Sequence, residues 1–222
     1  MDKNFQFVLD SIERKIKNSQ INGNKKDKYL KEIKSIKENY RDLNISDDKI
    51  ELLNSIVKKG KEVQKSIDDK EYEKIEYYFR FCNAALYDFR GEIKYLNRYA
   101  KSFILTCILF LALSPMYFSW VLPILFIVPI YMGLKGLRNR NYNGFIMTMA
   151  VIPMGFVTSI MWIKNGILAS KDFEGYIKAI SNGINYEFTK NITIAFIILG
   201  VILFFSTTYS VIIGIKHRKM FV

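Results

Sequence analysis

Few residues in this chain are of the types that perform chemistry, and none stands in a pattern that organises a reaction. The one histidine, His217, sits in the basic run Lys216-His217-Arg218-Lys219, which suits a solvated or headgroup-facing ring better than a general base or metal ligand. The two cysteines, Cys82 and Cys107, fall in a helical stripe and an apolar run. They read as small buried packers, not as a disulfide or a metal pair. No HExxH, GxxxxGK(S/T), GxSxG, CxxC or glycine-rich dinucleotide fingerprint occurs. The expectation is no catalytic residue, no cofactor, no metal and no enzyme.

What remains polar in the apolar C-terminal half is small. Thr148, Gly155 and Ser159 share a helical face with Gly144, and Ser206, Ser210 and Gly214 recur every four residues. Small residues at this spacing let helices approach closely, and their hydroxyls can bond across the contact. The same stripes would suit the lining of an aqueous pore. Either use requires membrane helices to carry them.

The run Ser102–Leu134 holds 33 residues without a charge, too many for one ordinary span of roughly 20 residues. Ser114-Pro115 divides it, because proline removes a backbone donor and clashes with the preceding turn. Two spans are predicted, about 97–113 and 117–134, with Tyr95, Tyr99, Trp120 and Tyr131 as interface anchors. The alternative is a single long helix kinked at Pro115. Arg140 and Lys164 bracket 23 uncharged residues, and Lys190 and Lys216 bracket 25, giving further spans at about 143–163 and 191–215. Pro123, Pro129 and Pro153 also fall in this half; such breaks occur both in packed membrane helices and beside transport cavities. Between the last two spans, Phe173, Ile177, Ile180, Ile184 and Phe188 form the apolar edge of a short surface helix. Asn191-Ile192-Thr193 matches a glycosylation acceptor but abuts a span.

Charge orients the spans. Residues 1–101 carry 23 Lys/Arg and 18 Asp/Glu, against 10 and 3 in the remainder, so a soluble region precedes a membrane region. The opening MDKNFQFVLDSIERKIK is charged and amphipathic instead of leader-like, so the first region is expected to stay on the side of synthesis. Lys135, Arg138 and Arg140 follow the second span, and Lys216, Arg218 and Lys219 follow the fourth. With Arg98 and Lys101 they are assigned to anionic lipid headgroups, which puts both termini in the cytoplasm. The expected location is a multi-pass membrane, with a bacterial plasma membrane ranked ahead of a eukaryotic organelle.

The first 96 residues read as a cytosolic bundle of helices, so the fold class is all-α. Phe5, Val8, Leu9, Ile12 and Ile16 recur at helical spacing, as do Tyr29, Ile33, Ile36, Tyr40 and Leu43. Asp48 and Glu51 suggest a capping box for a third helix. From Tyr72, the series Ile75, Phe79, Cys82, Leu86, Phe89, Ile93, Leu96, Ala100 and Phe103 alternates steps of three and four. That heptad predicts one continuous helix of about 40 residues running into the membrane, with Gly91 its weak point. Tyr72, Ile75, Phe79, Leu86, Phe89, Ile93 and Leu96 then form a seam that closes the bundle or meets a protein partner or second copy. Basic residues are interleaved with acids, which argues against nucleic acid. Two functional expectations follow: a membrane-anchored scaffold, regulator or signalling component, and an oligomeric ion channel or permeabilising effector gated through the first region. A small-solute transporter ranks third.

Overall fold

The structure is a computed structural model and describes residues 2–69, 71–181 and 185–222. Its regular elements are all helical among those residues, and the chain divides into two compact units. The first comprises residues 1–94 together with 219–222, and the second residues 95–218.

Four helices build the first unit: α1 (Lys3–Asn18), α2 (Gly23–Arg41), α3 (Ile50–Asp68) and α4 (Glu73–Phe89). Asp2 starts α1 by accepting a hydrogen bond from the Phe5 amide at 2.9 Å, and Asn22 caps α2 through the Asn24 amide. These side chains satisfy donors that a helix N-terminus leaves open. The predicted stripes Phe5, Val8, Leu9, Ile12, Ile16 and Tyr29, Ile33, Ile36, Tyr40 are buried in one core with α3 and α4. Tyr40 is polar at its tip only, and its hydroxyl donates to the Cys82 carbonyl at 2.7 Å.

Two local expectations fail here. Asp48 caps nothing, since Asp47–Lys49 forms a 3-10 turn and α3 starts at Ile50 without a side-chain cap. Nor is α4 continuous with the next helix. Phe89 ends it, and Gly91 takes φ +67° while its amide donates to Asp88 O and the Glu92 amide to Tyr87 O. This is a Schellman stop, in which a left-handed residue turns the chain and satisfies the last carbonyls. Glycine is suited to that conformation, so Gly91 ends the helix where a weak point within it was expected.

The second unit contains α5 from Tyr95 onward (the helix is Lys94–Leu113), α6 (Pro115–Phe118), α7 (Val121–Arg138), α8 (Tyr142–Ala169), α9 (Phe173–Ser181) and α10 (Tyr186–Lys216). Four of these, α5, α7, α8 and α10, are long and apolar enough to cross a membrane, as a multi-pass membrane protein requires. At 1.5 Å per residue they reach from about 27 to about 46 Å, against a hydrocarbon core of about 30 Å. The run from Ser102 to Leu134 therefore falls on two long helices joined by a short one; Pro115 opens α6, and Ser119, at φ 55°, turns the chain before α7. The second span starts at Val121, later than the predicted residue 117, because α6 takes up the intervening turn. Phe188 belongs to α10 instead of the surface helix, Ile177 is buried in α9, and Ile184 lies outside the described residues.

Glycine allows a close backbone contact between α7 and α8. A β-carbon on Gly136 of α7 would overlap the backbone of Gly144 of α8, and the reverse also holds. The two helices can cross there only without side chains.

Candidate functional site

The small polar residues predicted on the membrane helices converge inside one copy of the chain. Ser102 of α5 donates to the Ser206 carbonyl at 3.0 Å and lies 2.8 Å from Ser210 Oγ. Ser206 returns a bond to the Ser102 carbonyl at 3.0 Å, and Thr106 Oγ1 lies 2.9 Å from Ser206 Oγ. All four side chains are buried. One level along, Tyr99 Oη meets Thr148 Oγ1 at 2.6 Å. Tyr99, expected as an interface anchor, is fully buried.

The glycines explain how α5, α8 and α10 come so close. A β-carbon on Gly155 would come within 3.0 Å of Thr207 Oγ1 and 3.2 Å of Thr106 Cγ2, while Gly214 packs against Tyr99, Phe145 and Met149. Ser159 bonds back to the Phe156 carbonyl and is also buried. Thr148, Gly155, Ser159, Ser206, Ser210 and Gly214 thus all face protein. A hydroxyl in such a place lowers the cost of burying it by bonding to a neighbour, and each such bond contributes on the order of 0.6 kcal/mol in a membrane setting.

Cations gather at one end of this unit. Gly133 lies against Phe103 and Gly214 against Tyr99, so the C-terminal ends of α7 and α10 lie beside the start of α5. Arg98 and Lys101 on α5, Lys135 and Arg138 on α7, and Lys216 and Arg218 are exposed there, with Arg140 half-buried. Arg140 takes φ 52° and ends α7 with the same pair of bonds as Gly91, its amide to Leu137 O and the Asn141 amide to Gly136 O. His217 is not solvated: it is buried and stacks on Tyr95, ring centroids 4.1 Å apart.

In the first unit, Ile75, Phe79, Leu86 and Phe89 are buried in the core with α1, α2 and α3. Tyr72 is half-buried at the start of α4, and Ile93, past the Schellman stop, is exposed. Leu96 lies in α5, in the other unit, and is half-buried. Burial pushes the Cys82 thiol up to about 12, which keeps it neutral and unreactive at physiological pH.

The same unit holds the end of the chain. Met220 and Phe221 are 1% and 0% exposed, which makes the last residues part of a packed interior and not a loose tail. Lys219, expected at lipid headgroups, has its Nζ 2.9 Å from Glu32 Oε1, which also accepts from Asn83 Nδ2 at 2.7 Å. Burial alone would raise the Glu32 carboxyl, but the bonds from Lys219 and Asn83 outweigh it and hold the group below its ordinary value.

Tyr99, Ser102, Thr106, Gly136, Met220 and Phe221 were not singled out from sequence as site residues. Ser102 and Thr106 have the same four-residue spacing as Ser206 and Ser210, and the apolar Met220-Phe221-Val222 directly follows a basic cluster. Both signals were present; the partners were not. Among the described residues no three His, Cys, Asp or Glu side chains gather as a metal site would need. Comparison with known protein families, with curated proteins and with solved structures finds no match to this chain.

Proposed function

We propose that the chain is a multi-pass membrane protein whose N-terminal helical unit is a cytoplasmic interaction module, acting as a scaffold, regulator or signalling component without catalysis. The observation that carries this reading is the packing of Met220 and Phe221 into the N-terminal unit. A chain that leaves that unit at Lys94 and rejoins it at Lys219 must cross the membrane an even number of times, as four spans do. The module is then tied to the membrane helices at both α5 and α10. A protein or second copy that binds it and shifts the packing of the tail would pull on both. The cluster of exposed Lys and Arg at that end of the membrane unit supports a cytoplasmic orientation facing anionic headgroups, by the positive-inside rule.

Support for a scaffold over a conducting oligomer comes from the hydroxyls. Those of Ser102, Thr106, Ser206 and Ser210 bond to one another within one copy, which supports a packing contact between helices over a pore lining. Two measurements on inserted, folded protein test the proposal. Cysteine labelling should find both termini and residue 139 on one side and residue 170 on the other. Liposomes carrying the protein should hold a small dye and small ions with or without excess N-terminal fragment. Leakage that Ser210→Leu abolishes at unchanged oligomeric mass would replace the scaffold by a channel.

A further inference from the structure

Between α5 and α10, with Ser102 and Ser206 of the serine contact in its lining, lies an open and mostly apolar groove of about 780 Å³. Leu105, Ile202, Phe205 and Ile212 line it and are all substantially exposed, Phe205 at 68%. Arg98 and Lys101 stand at one end and are the charged residues of its lining. From Ile202 to Ile212 the groove follows ten residues of helix, about 15 Å at 1.5 Å per residue, which is the depth of one leaflet of hydrocarbon. An apolar trough of leaflet depth with two cations at its mouth matches a molecule with an acyl chain and an anionic head.

We infer that this groove is a binding site for one anionic diacyl phospholipid, its phosphate held by Arg98 and Lys101 and an acyl chain laid along Leu105, Ile202 and Phe205. Three features fit the assignment. The groove opens sideways, where a lipid enters without leaving the bilayer. Its size lies within the range of small-molecule sites, roughly 300–1,000 Å³. Both cations lie in the first three turns of α5, within about 9 Å of rise from Tyr95, whose ring stacks on His217, in the part of the helix where aromatic and basic side chains meet headgroups. The site goes beyond general attraction of basic residues to a charged surface, since it requires the apolar trough as well as the charge. Bound lipid would bridge α5 and α10, the two helices through which the chain joins its N-terminal unit.

The inference rests on the multi-pass membrane reading, and the experiment separates the two. Full-length protein is first tested for resistance to alkaline extraction from membranes; extractable protein would overturn both. Inserted protein is then purified in mild detergent with phosphatidylglycerol or phosphatidylcholine, and retained lipid is counted by native mass spectrometry. One phosphatidylglycerol should stay bound and phosphatidylcholine should not. Arg98→Gln with Lys101→Gln should weaken retention about thirtyfold, from about fivefold per cation near an anionic lipid. Leu105→Trp, which fills the trough and keeps both charges, should also displace the lipid, whereas Lys164→Gln with Lys171→Gln removes equal charge elsewhere and should not. Retention unchanged in Leu105→Trp, or equal loss in the Lys164/Lys171 variant, would reduce the effect to surface charge and overturn the site. Excess inorganic phosphate should fail to compete; displacement by it would make the ligand a free anion instead of a lipid.

Discussion

At the scale of single residues, the backbone records where side chains were chosen against local preference. Ser119 adopts φ 55° with ψ 175°, a combination that belongs almost entirely to glycine, and its side chain is exposed. Nothing in the turn depends on the hydroxyl, so relief of strain should dominate any substitution that removes the β-carbon. Ser119→Gly is expected to stabilise by about 1 kcal/mol, a rise in Tm of roughly 2–4 °C for a chain of this length. Ser119→Val, which adds β-branching to the same conformation, should lower it. Thermal unfolding of the detergent-solubilised protein reads both, and an earlier melt for the glycine variant would mean that the turn between α6 and α7 has another shape. Arg140 sits in the same left-handed region but carries a charge at the cation-rich end, so its replacement mixes strain with electrostatics and tests less.

At the scale of elements, Gly91 offers a test by sign. Inside a continuous helix, Gly91→Ala would gain about 1 kcal/mol. In the Schellman stop, with φ at +67°, it should instead cost about 1–2 kcal/mol. A gain in thermal stability of the full chain would restore the long helix that the heptad suggests. That heptad also marks what the sequence reveals and what it hides. Apolar period and charge-free length located α1, α2 and the four long apolar helices, because burial and hydrocarbon thickness act on every residue of an element. The stop at Phe89 was hidden because the turn Arg90–Ile93 leaves Leu96, Ala100 and Phe103 in phase with Phe89. Ser102, Thr106, Ser206 and Ser210 were visible as small polar positions, but a hydrogen bond between residues more than 100 apart is a property of packing and leaves no local pattern. Gly136 was hidden for the same reason, since its value lies in the backbone of Gly144 across the helix crossing.

At the scale of the whole molecule, residues 219–222 belong to the N-terminal unit although they follow the last membrane helix. Phe221 is fully buried in the N-terminal unit, and its removal should cost what a buried phenylalanine costs, about 3–5 kcal/mol if the site does not collapse. Such a penalty is larger than a short tail can absorb, so Phe221→Ala should release it. The ion pair beside it adds a dependence on pH. Glu32 is held below its ordinary carboxyl value in the folded chain, so its contribution is present above the unfolded value near 4.5 and is lost as pH falls through the lowered folded value. Protonation removes the charge that Lys219 Nζ meets at 2.9 Å, while the Asn83 contact can persist with the neutral acid. Hydrogen exchange of the peptide covering Met220 and Phe221, corrected for intrinsic rate, should therefore show steady protection from pH 7 to about 5 and loss of part of it below about 4.5. Glu32→Gln keeps an acceptor for Asn83 but has no charge to lose, so its protection should be lower at pH 7 and flat across the same range. Wild-type protection as flat as that of the Gln variant would mean that apolar burial alone holds the tail, and any coupling between the units would then have to act through Phe221 without help from the Glu32–Lys219 pair.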